Sequence, residues 1–200
     1  AGTGTVAFNS TTGGTMTFAG ANLAEDEFNN VTFNSSAGTL QTFTMATRGL
    51  RWGGTLQIFD DTGGGTRLNK ATFTLTGGVL DVNVSSSLIS TSGDVSVTNV
   101  TVTVSGPAFM DLGSEAWTVS GTWTNNSDDV DWDAGTGTVT FDSATGGTMT
   151  FAGASLAEAE VFNITFNSTG ATAQTFTMAT RGLRWSNLMT ITDPTGGTVM

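Results

Sequence analysis

Apolar and polar residues alternate along this chain in short runs: Thr5-Val6-Ala7-Phe8, Thr15-Met16-Thr17-Phe18, Val31-Thr32-Phe33, Thr42-Phe43-Thr44-Met45 and Thr72-Phe73-Thr74-Leu75. A period of two sends successive side chains to opposite faces of an extended strand. Each run therefore predicts a strand with its large apolar residues buried and its Thr residues outward. The series continues through residues 80–84, 95–97, 100–104, 117–119 and 130–132. Between Val97 and Val100 the alternation slips by one, which predicts a corner or bulge at Thr98-Asn99, since a slipped register would otherwise reverse the buried face. Glycine pairs at Gly13-Gly14, Gly53-Gly54 and Gly77-Gly78 read as turns. Only residues 23–28, 156–162 and 110–116 lack the alternation. The expected class is all-β.

The strands also recur at long range. Residues 1–52 laid over residues 134–185 without a gap share 40 identities in 52 positions, from AGTGTV at both starts to TFTMATRGLRW at both ends. The organisation is one full unit, residues 1–133, followed by about half of a second, residues 134–200. Two architectures fit: a β-solenoid, parallel β-helix-like and built from the 133-residue repeat, or tandem β-sandwich domains. A solenoid can stop between any two coils because each contacts only its neighbours, whereas half a sandwich lacks the strands that close its core. The half copy favours the solenoid. Its terminal strands carry no evident cap, so both ends are expected to be covered by further repeats or neighbouring subunits.

Composition narrows the chemistry. There are 40 Thr, 17 Ser and 27 Gly against 2 Pro, a mixture suited to strands and tight turns. Charge is sparse and one-sided, with 17 acidic and 6 basic residues and a net charge of −11, which opposes binding to nucleic acid or an anionic membrane. Cys and His are both absent, which removes disulfides, thiolate metal sites, the Cys nucleophile and the commonest general base. No stretch is long and apolar enough for a membrane helix, so membrane insertion is not expected. The start, AGTGTVAFNS, is expected to be a mature or truncated end.

The run Trp123-Thr124-Asn125-Asn126, then residues 133–141 (DAGTGTVTF), Gly146-Gly147-Thr148 and residues 162–167 (FNITFN) resembles the recurring pattern of secreted bacterial and archaeal β-strand-repeat surface proteins. The similarity spans most of the chain. It implies an adhesin, surface-layer component or autotransporter-like passenger: extracellular, at the cell surface, mostly solenoidal and structural, not enzymatic. The chain departs from the pattern at Arg48-Gly49-Leu50-Arg51-Trp52 and Arg181-Gly182-Leu183-Arg184-Trp185, where two cations and an indole enter a strand that is usually plain.

Those residues are the first candidate site. An acidic turn lies 23 residues before the first Arg in each copy, about one coil away, which predicts Arg48 beside Glu25 and Arg181 beside Glu158 as structural ion pairs. By parity Trp52 and Trp185 should be buried in equivalent environments, with Arg51 and Arg184 outward. The second candidate is Asp129, Asp131 and Asp133, which would share a strand face about 6.8 Å apart and offer hard oxygens to Ca²⁺. The same spacing suits a sugar-cleaving carboxylate pair, so a carbohydrate-binding or carbohydrate-cleaving β-helix, with surface glycans as partners, is the alternative function. Eight sequons, at Asn9, Asn30, Asn34, Asn83, Asn99, Asn125, Asn163 and Asn167, are candidate glycan acceptors. No resident cofactor is expected. The leading expectation is an extracellular structural protein forming a filament, surface layer or adhesin stalk by self-assembly with neighbouring copies or repeats.

Overall fold

A computed structural model describes residues 2–18, 25–103, 109–127, 132–151, 160–170, 172, 174–180 and 182–194. Among these residues there is no helix. The first copy supplies β1 (Thr5–Ser10), β2 (Gly14–Thr17), β3 (Asn30–Ser35), β4 (Gln41–Ala46) and β5 (Leu50–Asp60). It continues with β6 (Thr66–Asn69), β7 (Leu75–Val82), β8 (Ser86–Ile89), β9 (Val95–Val102), β10 (Met110–Asp111), β11 (Ala116–Val119), β12 (Trp123–Asn125) and β13 (Trp132–Asp133). The second copy supplies β14 (Thr138–Ser143), β15 (Gly147–Phe151), β16 (Val161–Ser168), β17 (Phe176–Ala179) and β18 (Trp185–Thr192).

All pairings between these strands are parallel, and the chain winds as a β-solenoid. Its strands stack in three columns. The first runs β1, β3, the later half of β5, β7 and β9, then β12, β15 and β17. The second is the six-stranded sheet β2, β4, β6, β8, β10, β13. The third joins the earlier halves of β5, β7 and β9 to β11, β14, β16 and β18. Each turn passes the columns in that order.

Period-two alternation builds the interior. Val31, Phe33, Leu56, Ile58, Leu80, Val82, Val100 and Val102 are fully sealed, and the apolar cluster runs unbroken from Met16 to Phe166. No second core begins near Ala134. At the junction of the copies, Trp123 packs edge-on at 6.0 Å against Trp117, at 6.0 Å against Trp132 and at 6.2 Å against Phe141. Such aromatic pairs stabilise beyond their buried area by about 0.5–1.5 kcal/mol each. The expected break near Thr98-Asn99 is present in a different form. β9 stays continuous but pairs with two strands, β11 up to Val97 and β12 from Val100.

The copies fold alike locally. Phe8 stacks on Phe33 at 5.1 Å, and Phe141 on Phe166 at 5.6 Å. Gly13 and Gly146 both take positive φ, and in each a Cβ would run into the carbonyl of a Thr on the next coil, Thr42 or Thr175, so the turn demands Gly. Globally the copies differ. Val6, Val31, Leu56, Leu80, Val100 and Trp123 follow one another up the first column, five turns in all. Val139, the counterpart of Val6, lies two columns further on, in the third column against Trp117. The 133-residue repeat is therefore five turns and two columns, so β14 and β15 occupy other columns than β1 and β2.

Candidate functional site

The Arg-Trp segment lies where the third column bends into the first. Arg48 meets Glu27 rather than Glu25: its Nη1 donates to Oε2 at 2.8 Å and its Nη2 to Oε1 at 2.5 Å, with both side chains nearly buried. The expected partner was two residues off because the acidic turn is irregular and parity does not apply within it. Glu25 is exposed. The hydrogen bonds that Arg48 donates to the Glu27 carboxylate raise its guanidinium above the usual arginine value. Arg48 also lies 5.4 Å over the Phe18 ring. Arg51, half-exposed, reaches Asp26 at 3.9 Å.

In the second copy Arg181 and Glu158 lie outside the described residues. Glu160, the counterpart of Glu27, is fully buried and accepts the Arg184 backbone N–H at 2.7 Å, while its carbonyl accepts the Trp132 indole N–H at 2.7 Å. Arg184 is exposed. Trp52 is fully buried, with its indole donating to the Val79 carbonyl at 3.0 Å. The expectation of equivalent tryptophans fails for Trp185, which is exposed: among the described residues no strand pairs with β18 on the side away from β16.

Beside Arg51, an open groove of about 320 Å³ is lined by Asp26, Arg51, Thr76, Ser96, Thr118 and Ser120. Rung pairing aligns Arg51, Thr76, Ser96 and Thr118 of this groove, and the same outward row continues beyond it along the third column through Thr140, Thr165 and Thr190. It is a cation followed by hydroxyls at the strand spacing of about 4.8 Å. The row was not legible in sequence because its members are separated by turns of unequal length.

A second cluster is buried. Lys70, the chain's one lysine, is sealed from solvent, as is the Glu115 side chain 3.2 Å from its Nζ. Nζ donates to the carbonyls of Ser92 at 2.7 Å, Phe73 at 3.3 Å and Gly93, and the Ser90 hydroxyl donates to Glu115 Oε1. Burial lowers the Lys70 amine below its usual range, with Glu115 opposing. The cluster ties three successive coils together at the corner between the second and third columns. A signal was present in the sequence: Lys70 shares the inward parity of Thr66 and Leu68, and Glu115 that of Trp117 and Val119.

Of the Ca²⁺ candidates, Asp129 and Asp131 lie outside the described residues. Asp133 is exposed, and its Oδ1 accepts the Gly135 N–H at 2.8 Å, capping a turn. Asp111 stacks on it one rung below and caps its own turn through the Gly113 N–H at 2.7 Å. Among the described residues no three potential ligands gather.

The sequons differ in access. Asn9 is exposed. Asn30, Asn34, Asn83, Asn99, Asn163 and Asn167 engage their amides in hydrogen bonds to strands or turns nearby. Asn125 is fully buried and leaves no room for a glycan in the folded chain.

No family model, no curated protein and no solved structure matches this chain.

Proposed function

We propose that this chain is an extracellular structural element, a rigid spacer of a filament, surface layer or adhesin stalk, with no catalytic role. One observation carries the reading. The second copy continues the solenoid of the first without a break in core or pairing, through Trp117 opposite Val139 and Trp123 opposite Met149, so adding sequence adds length. Glu27 and Glu115 pair with Arg48 and Lys70, and Asp111 and Asp133 cap turns, so these carboxylates work within the architecture. The test is a set of arrays carrying one, two and three additional repeats, measured by small-angle scattering and electron microscopy. Each repeat should lengthen a rod of constant width by about 27 Å, from five and two-thirds turns at about 4.8 Å. An array that collapses, or whose length does not grow, overturns the reading.

A second reading, carbohydrate binding, rests on the groove with Arg51, Asp26 and the row of hydroxyls. Glycan-array binding lost in Arg51→Ala would support it.

A further inference from the structure

The two ends of the solenoid expose residues whose counterparts in the other copy are sealed. Val6, on the outer edge of β1, is 38% exposed, whereas Val139 of β14 is 2% exposed beneath β11. Ile191 of β18 is 60% exposed, whereas Ile58 of β5 is fully buried beneath β7. Met178 of β17 and Met45 of β4 contrast in the same way. Each of these residues lies on a strand in both copies, so the difference lies in what comes next in the stack.

The interior of the chain shows what comes next. The face that β1 and β2 leave open is, at β14 and β15, covered by β11 and β12. The face that β18 leaves open is, at β5, covered by β7 with Leu56 on Leu80 and Ile58 on Val82. Each open end thus has a partner of known sequence and register, supplied by the same repeat. A stack of apolar residues on a parallel strand edge fits such a partner well, because it offers both unpaired backbone groups and a dry core row.

We propose that both open ends are docking faces for further copies of this 133-residue repeat, added in the register of the internal junction, so that each copy sits two columns on from the one before. This rests on the structural reading above and specifies how the array is built. After three repeats the offsets close: three times five and two-thirds is 17 turns, about 82 Å of rise. Any given side chain is then displayed on all three faces of the rod in rotation. A partner that recognises one repeat would find its sites winding around the axis rather than lined up on one side.

The experiment lengthens the full 200-residue chain after Met200 with a copy of residues 68–133, and uses acrylamide quenching and electron cryo-microscopy. The other four tryptophans are buried, so the quenchable indole of the parent chain is Trp185. The expected result is that quenching falls to the level of a buried indole, and that longer arrays place corresponding strands of successive copies two columns apart. Native-like β structure with Trp185 still quenchable overturns the docking. Repeats that return to the same column overturn the register. In either case, a rod that still lengthens with each repeat leaves the structural reading standing.

A variant guards against an extended chain that does not fold. Ile191→Lys in the 200-residue chain should melt with the parent, because that face is open there, while Ile58→Lys should not fold stably. An Ile191→Lys chain that unfolds as readily as Ile58→Lys overturns the open docking face.

Discussion

Trp52 and Trp185 stand at the same position of the two copies, each after Arg-Gly-Leu-Arg, yet Trp52 is sealed beneath β7 and Trp185 is 42% exposed on β18. Gly77 lies against the Trp52 ring so closely that a Cβ there would enter the indole. The burial is therefore made by the following coil. Trp52→Ala should cost about 3–5 kcal/mol, as for a large core truncation, and Trp185→Ala under about 1 kcal/mol. Thermal melts of the two variants, followed by circular dichroism, check this. Equal losses would contradict the structure.

Lys70 and Glu115 form a pair in which each group depends on the other. Lys70→Met leaves Glu115 buried without its cation and should destabilise by about 3–5 kcal/mol. Replacing both, as Lys70→Met with Glu115→Leu, should recover most of that loss, because a buried pair exchanged for apolar groups of similar volume is often near neutral. Denaturant melts of the single and double variants provide the measurement. In the folded chain Lys70 should also resist amine-reactive labels that modify it after unfolding.

Burial raises the Asp111 carboxyl above the usual aspartate range, with Asp133 and Glu115 adding to the effect and the Gly113 N–H and Lys70 opposing it. A raised folded value means that the folded chain holds this proton more tightly than the unfolded chain. The stability it contributes is fully present below the ordinary aspartate value and is lost as pH rises through the raised one. Asp111→Asn keeps the acceptor for Gly113. The variant should therefore match or exceed the parent at neutral pH and lose that advantage on acidification across this window. Paired melts at several pH values test the sign.

Arg48 and Glu27 make two parallel hydrogen bonds that an ammonium cannot reproduce. Arg48→Lys should lower the melting temperature of the chain even though the charge is kept. Because the pair is nearly buried, added salt should recover little of the difference. A melting temperature equal to that of the parent would assign the pair no structural role.

Period-two alternation was enough to say which side chains face inward, because facing within a strand needs no knowledge of its neighbours. Phe33, Leu56, Leu80, Val100 and Trp123 could be assigned to the core, Arg51 and Arg184 to the outside, and the all-β class and repeat followed from the same pattern. Lys70 and Glu115 were legible as charges at inward parity. Their partnership was not, since 45 residues and two coils separate them.

Which strands stack became visible in the folded chain alone, because stacking depends on the length of every turn. Successive rungs are 25 residues apart from Val6 to Val31 but 20 from Leu80 to Val100 and 29 from Met149 to Met178. Those lengths sum to a repeat that does not close on a whole number of turns. That is why two nearly identical sequences, β1 and β14, lie in different columns. Burial at a given residue depends in the same way on the coil beside it: Trp52 is covered by β7, and among the described residues nothing covers Trp185.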